Sequence, residues 1–163
     1  MNWIFFLALI SQIESGNNPN LIGDKHLANK AYGVYQMRKI FVDDVNRISG
    51  FKFTLEEVVG SDSLSRWCIV YYLKHYGKLY TKKTGKLFTM EVAAMIYNGG
   101  PNGWNKISTI KYRNKFNLAM KNWPPPTNLF QSGLENTYHA STVGANANFV
   151  ATTFVNTKNR RTH

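Results

Sequence analysis

Nine side-chain carboxyls are available for acid–base chemistry: Glu14, Asp24, Asp43, Asp44, Glu56, Glu57, Asp62, Glu91 and Glu135. Glu14 is set apart by its surroundings. It follows the apolar run "NWIFFLALI" and sits in "IESGNNPN", where a polar turn begins. Apolar neighbours penalise the charged form of a carboxyl, so the proton stays on to higher pH. A general acid for a poor alkoxide leaving group needs that proton near neutral pH, and a free Glu, with a pKa near ~4.3, has already lost it. The plainer alternative is a solvated carboxylate at a helix end, with Gly16 as the stop.

The other reactive side chains lead elsewhere. Cys68 lies in "RWCIVYYL" and reads as a small buried hydrophobe, and a single cysteine allows no intramolecular disulfide. His26, His75, His139 and His163 have no metal-site spacing with one another or with the cysteine, so neither a metal nor a cofactor is expected. Lys and Arg number 20 against 9 Asp and Glu, a net charge of +11. Such a field favours an anionic partner: nucleic acid, an acidic cell wall or a membrane surface. With 163 residues and an apolar fraction of 44%, one domain with a sizeable core is expected.

The elements that must position Glu14 can be read from periodicity. Trp3, Phe6, Leu7, Ile10 and Ile13 follow helical spacing, predicting a helix over 2–15. Residues 21–38 carry glycines near each end and fit a loop or short hairpin. Residues 39–49 read as a helix followed by Gly50, and "TLEEV" at 54–58 is a capping box of Thr54 and Glu57. A helix over 63–76, capped by Asp62, would bury Leu64, Trp67, Cys68 and Tyr71. "GKLYTKKTGK" then reads as a basic loop. Thr89 would cap a helix over 90–97, "NGGPNG" would stop it, and 105–121 reads as a basic helix. "WPPPTN" at 123–128 marks an edge. The expected organisation is a mainly α domain over 1–126, with a small β-hairpin and a central cleft, and a polar tail over 127–163 containing one strand-like run, "NFVATTFV". The N-terminal apolar run is too short to span a bilayer and lacks the basic start of an export signal, so it is read as a buried helix.

Four stretches in order, "IESGNNPN", "AYGVYQM", "AAMIYNGGPNG" and "KYRNKF", resemble the lysozyme-like superfamily, in particular the soluble lytic transglycosylase and goose-type lysozyme group. That group shows Glu-Ser, then Gly-x-x-Gln, then an apolar helix ending Tyr-Asn-x-Gly-Pro, then a tyrosine on a later helix. The resemblance covers residues 1 to about 120. It implies an α+β lysozyme-like fold and cleavage of peptidoglycan at the MurNAc-β-1,4-GlcNAc bond. Glu14 would be the general acid, and Ser15 would steady that carboxyl or the substrate acetamido group. Gln36 would line the cleft, Tyr97 and Asn98 would bracket the sugar, and Tyr112 would lie beside Glu14. Asn98 also has a purely structural reading, as a left-handed helix cap before Gly99.

The group contains hydrolases and non-hydrolytic transglycosylases. Hydrolysis generally needs a second carboxylate. Two positions beyond Gln36, where some goose-type enzymes carry Asp, this chain has Arg38. Asp24 is then the remaining candidate base, while Asp43 and Asp44 read as surface or capping residues. A lytic transglycosylase using Glu14 alone, with a 1,6-anhydro product, is the favoured reading. A hydrolase using Glu14 and Asp24 is the first alternative, and a non-enzymatic basic protein binding wall or nucleic acid is the second. The expected partner is the peptidoglycan strand, met as a monomer, without nucleic acid or a transmembrane segment. The short domain resembles a bacteriophage lysis enzyme or virion-associated factor, made in the cytoplasm and acting on the bacterial wall.

Overall fold

The computed structural model describes residues 1–123. Asn2 opens the first helix, its side chain accepting from the Phe5 amide at 3.1 Å and satisfying one of the amides that a helix start leaves unpaired. This helix, α1 (Trp3–Ser15), closes at Gly16, where a φ of 62° suits a residue without a Cβ. Phe6, Leu9 and Ile10 are fully buried, while Ile4 faces solvent. The Phe6 ring meets Phe116 near the end of the described chain, with centroids 5.6 Å apart. The first and last helices among the described residues therefore pack against each other.

Residues 21–38 form the expected hairpin. Strand β1 (Ile22–Gly23) pairs antiparallel with β2 (Ala31–Tyr32), with Ile22 opposite Tyr32 and Gly23 opposite Ala31. A further bridge joins Tyr32 and Met37, so "AYGVYQM" doubles back on itself. The reversal uses Gly33 at φ 73° and Gln36 at φ 49°. The first is free for glycine, whereas the second is a left-handed conformation that a side chain normally avoids.

Helices α2 (Lys39–Ser49) and α3 (Leu55–Gly60) follow, the latter with the capping box of Thr54 and Glu57 formed in both directions. Then come α4 (Asp62–Thr84), α5 (Met90–Gly99), two single 3₁₀ turns at Gly103–Asn105 and Ile107–Thr109, and α6 (Ile110–Lys121). Thr89 caps α5 through the Val92 amide. Met1–Pro125 form one compact unit. Among the described residues no helix is long and apolar enough to cross a membrane. The polar tail expected over 127–163, with its strand-like run, lies outside the described residues.

Helix α4 departs from expectation in three ways. It runs through Gly77 to Thr84, so most of the expected basic loop is helix. A helical glycine costs about 1 kcal/mol, but here it makes room for a neighbour: a Cβ at Gly77 would lie 2.6 Å from the Phe88 ring. The cap is Ser61, whose hydroxyl accepts from the Leu64 amide, rather than Asp62. The buried face carries Cys68, Ile69, Tyr72, Leu73, Tyr76 and Tyr80, while Trp67 is exposed and Leu64 and Tyr71 are half-buried. With apolar rings on both sides of the helix, neighbours chose the face that packs. The helix expected over 105–121 is α6 preceded by the 3₁₀ turns.

Candidate active site

A cleft of about 750 Å³ is lined by the end of α1, the hairpin, α2 and the end of α5. Glu14, Asp24, Gln36, Tyr97 and Asn98 all reach it, together with Arg38 and residues of α2. Residues 84 positions apart are thus brought to one surface, because α1 and α5 both pack on α6 and each donates a side-chain hydrogen bond to the hairpin turn, Ser15 to the Val34 carbonyl and Tyr97 to the Tyr35 carbonyl.

Glu14 occupies the last turn of α1 and is half-buried. The Tyr112 hydroxyl, projecting from α6, donates to Glu14 Oε1 at 2.5 Å. One helical turn further on, Lys115 Nζ donates to the Ile13 carbonyl at 2.9 Å, tying α6 to the unpaired carbonyls at the α1 terminus. Burial pushes the Glu14 carboxyl above the usual carboxylate range. The Tyr112 hydrogen bond, Lys115 and Arg38 each pull it back, and Asp24 pushes it up again. Desolvation is the largest of these influences, so Glu14 holds its proton to higher pH than a free side chain. Tyr112 is held as a neutral phenol by burial and by the adjacent carboxyl.

The other expected residues are distributed around this group. Tyr97 is half-buried in the cleft wall and donates its hydroxyl to the Tyr35 carbonyl, which locks the ring against the hairpin turn. Burial and the nearby Glu14 carboxyl keep this phenol neutral as well. Asn98 is exposed at the cleft within α5, so the left-handed cap reading of this residue is not what the backbone adopts. Gln36 donates through Nε2 to the Leu21 carbonyl at 3.0 Å and to the Gly33 carbonyl at 2.9 Å, closing the hairpin from within. Its Oε1 fills the space over Gly23, where a Cβ would lie only 2.1 Å away. Ser15 donates to the Val34 carbonyl at 2.7 Å, joining the end of α1 to the same turn. Its hydroxyl hydrogen is therefore engaged by backbone rather than by the Glu14 carboxyl.

Asp24 lies at the cleft, with a left-handed φ of 48°. Its carboxylate is paired with Arg38, whose guanidinium also donates to the Asn29 carbonyl. Arg38 thus ties Asp24 and the β1–β2 loop to the start of α2. Asp43 and Asp44 also line the cleft. Asp43 pairs with Lys39. Asp44 accepts from Arg47 and, at 2.7 Å, from the Tyr76 hydroxyl.

Lys115 and the Asp44–Arg47–Tyr76 group escaped sequence reasoning. The spacing of Lys115 from Tyr112, three residues along one helix face, was the available signal. The joining of Asp44 to Tyr76 across 32 positions had no local signal. Cys68 is fully buried, and burial pushes its thiol up to about 11. Among the described residues no group of three or more His, Cys, Asp or Glu could hold a metal ion.

No family model matches the sequence, and no curated protein matches it. Solved structures do. A chain of the complex between Aeromonas hydrophila PliI and Meretrix lusoria lysozyme aligns with a TM-score of 0.56 and 26% identity, covering 68% of this chain and 84% of that one. The fold is lysozyme-like. An inhibitor-bound lysozyme from Meretrix lusoria aligns with a TM-score of 0.55 and 26% identity over the same shares. Tapes japonica lysozyme aligns with a TM-score of 0.56 and 22% identity, covering 68% of this chain and 85% of its own. The mainly helical lysozyme-like architecture with a small two-stranded sheet agrees with the fold expected from the four ordered stretches.

Proposed function

We propose that this protein is a peptidoglycan-degrading glycosidase, cleaving the MurNAc-β-1,4-GlcNAc bond with Glu14 as general acid. The observation that carries the reading is the state of Glu14: half-buried at the cleft, hydrogen-bonded to a neutral tyrosine and holding its proton above the usual range. Such a group can protonate a glycosidic oxygen as the bond to the sugar C1 breaks. The likeness to solved lysozymes supports the same class. The net charge of +11 suits an anionic wall.

Within that class the favoured route is the lytic transglycosylase one. Glu14 gives its proton to the leaving oxygen, and the substrate acetamido group stabilises the developing cation at C1. The C6 hydroxyl then attacks C1, its proton passes to the Glu14 carboxylate, and a 1,6-anhydro ring closes without water. The pairing of Asp24 with Arg38 supports this reading, because that carboxylate already has a cationic partner. Tyr97 and Asn98 would hold the sugar, Gln36 and Ser15 would fix the hairpin turn beside it, and Tyr112 would hold Glu14. The proposed setting is that of a phage lysis enzyme or virion-associated factor acting at the bacterial wall, where the net charge of +11 meets an anionic polymer.

A second reading is a hydrolase in which Asp24 activates water. It is favoured by one observation, the presence of Asp24 on the same cleft as Glu14. Mass spectrometry of fragments released from purified peptidoglycan separates the two. Fragments ending in 1,6-anhydro-N-acetylmuramic acid, one water lighter, are expected, and Asp24→Asn should leave that product unchanged. Reducing ends that vanish in Asp24→Asn would establish the hydrolase. No fragments at all would return the protein to the class of basic wall- or nucleic-acid-binding proteins.

A further inference from the structure

We infer that the outer face of α4 is a second, non-catalytic binding surface for the anionic glycan of the cell wall; the choice of glycan rests on the proposed function. The buried residues of α4 occupy one side of the helix. At 3.6 residues per turn, Trp67, Tyr71, Lys74, Lys78 and Lys82 fall within an arc of about 80° on the opposite side. Trp67 and the three lysines are exposed, and Tyr71 is half-buried. None of the five lines the cleft. Helix α4 holds one carboxylate in its 23 residues, Asp62 at the first position, paired with Arg66. The stripe therefore runs from rings to cations without an intervening acid.

The rings at its upper end form a fixed platform. Trp67 stacks on Tyr71 with centroids 4.9 Å apart and planes 20° apart. The Tyr71 hydroxyl donates to the Ile48 carbonyl, which pins that ring to the end of α2. Phe51, 50% exposed, meets Trp67 edge-on at 5.5 Å and stacks on Phe53 at 5.1 Å. An aromatic platform offers a face to the C–H surface of a sugar ring, with little entropy left to lose. The column of lysines beyond it supplies compact positive charges for the carboxylates and phosphates of a wall polymer. Single-stranded nucleic acid offers bases and phosphates to the same combination. The glycan is preferred because the same domain carries the cleft proposed above to cut a glycan strand.

The test uses the full chain carrying Glu14→Gln, so that wall is bound without being cut. Pelleting with insoluble peptidoglycan is compared with and without Lys74→Glu/Lys78→Glu, and separately with Trp67→Ala. Reversal of Lys111 and Lys121, two exposed lysines on α6, is the control for general charge. The lysine pair on α4 should weaken retention about tenfold, and the α6 pair much less. Both α4 variants with Glu14 intact should cleave a soluble glycan oligomer at wild-type rate. The lysine reversal leaves the ring cluster untouched, so it remains informative should Trp67→Ala unfold. Equal losses from α4 and α6 reversal, or no loss from α4, would overturn the inference. Stripe-dependent binding of a single-stranded DNA oligomer, with wall retention unaffected, would assign the surface to nucleic acid instead. Failure of every protein to cut the soluble oligomer would count against the catalytic reading alone, since pelleting does not depend on it.

Discussion

Tyr112 donates its hydroxyl to Glu14 Oε1 at 2.5 Å, across 98 positions of sequence. A neutral phenol is the donor and a carboxyl at the end of an apolar helix is the acceptor. The bond favours the ionised carboxylate, while burial favours the protonated form and prevails. The titration of Glu14 is therefore a balance between burial and the side chains around it, which can be altered one at a time.

Removing the acid should stop catalysis. Glu14→Gln keeps the shape and an acceptor for Tyr112 but has no proton to give. Turnover of peptidoglycan should fall by about 10²–10⁴, the usual range for acid–base catalysis. Circular dichroism should show an intact helical fold. Residual activity above about a tenth of wild type would be incompatible with the assigned role.

Tyr112→Phe removes a group that stabilises the charged carboxylate. The Glu14 pKa should rise further, so the alkaline limb of the pH–rate profile should move to higher pH. Lys115→Met, which removes a nearby cation, should move it in the same direction. A limb that shifts to lower pH in Tyr112→Phe would show that the hydroxyl does not favour the ionised form.

Glu14 also links stability to pH. Its carboxyl binds a proton more tightly in the folded chain than in the unfolded one. Between the ordinary carboxylate pKa, near ~4.3, and the raised folded value, the native state carries more protons than the unfolded state. Rising pH through that window therefore costs stability. Glu14→Gln escapes the penalty, so it should melt higher than wild type at pH 7.5, with the advantage shrinking at pH 4. Thermal melts at the two pH values read this directly, and an advantage that grows on acidification would contradict it.

Gly23 is predicted to be needed for the position of Gln36. A Cβ there would lie 2.1 Å from Gln36 Oε1, while Nε2 is tied to two carbonyls. Gly23→Ala must displace the glutamine and disturb the Tyr32–Met37 turn. A loss of about 1–3 kcal/mol is expected from overpacking and the broken hydrogen bonds. Urea unfolding measures the stability change, and kcat/KM on peptidoglycan should fall with it. Unchanged stability would mean that the hairpin accommodates the methyl by another route.

The sequence by itself determined the elements whose signals are local. The α1 stripe and its Gly16 stop, the Thr54–Glu57 capping box, the Thr89 cap and the turn chemistry around Gly33 each lie within a few residues of what they control. Glu14 was legible because its apolar neighbours precede it directly in the chain. Only the tertiary structure decided which face of α4 is buried, because rings stand on both sides and neighbouring helices select between them. It also decided that Gly77 continues a helix, since the Phe88 ring that requires a glycine there is visible only in three dimensions. The family resemblance already implied Tyr112 beside Glu14, but the pairings of Lys115 with Ile13 and of Arg38 with Asp24 depend on where α6 and the hairpin pack. Hydrogen bonds act over about 3 Å of space, and sequence distance carries no information about that separation.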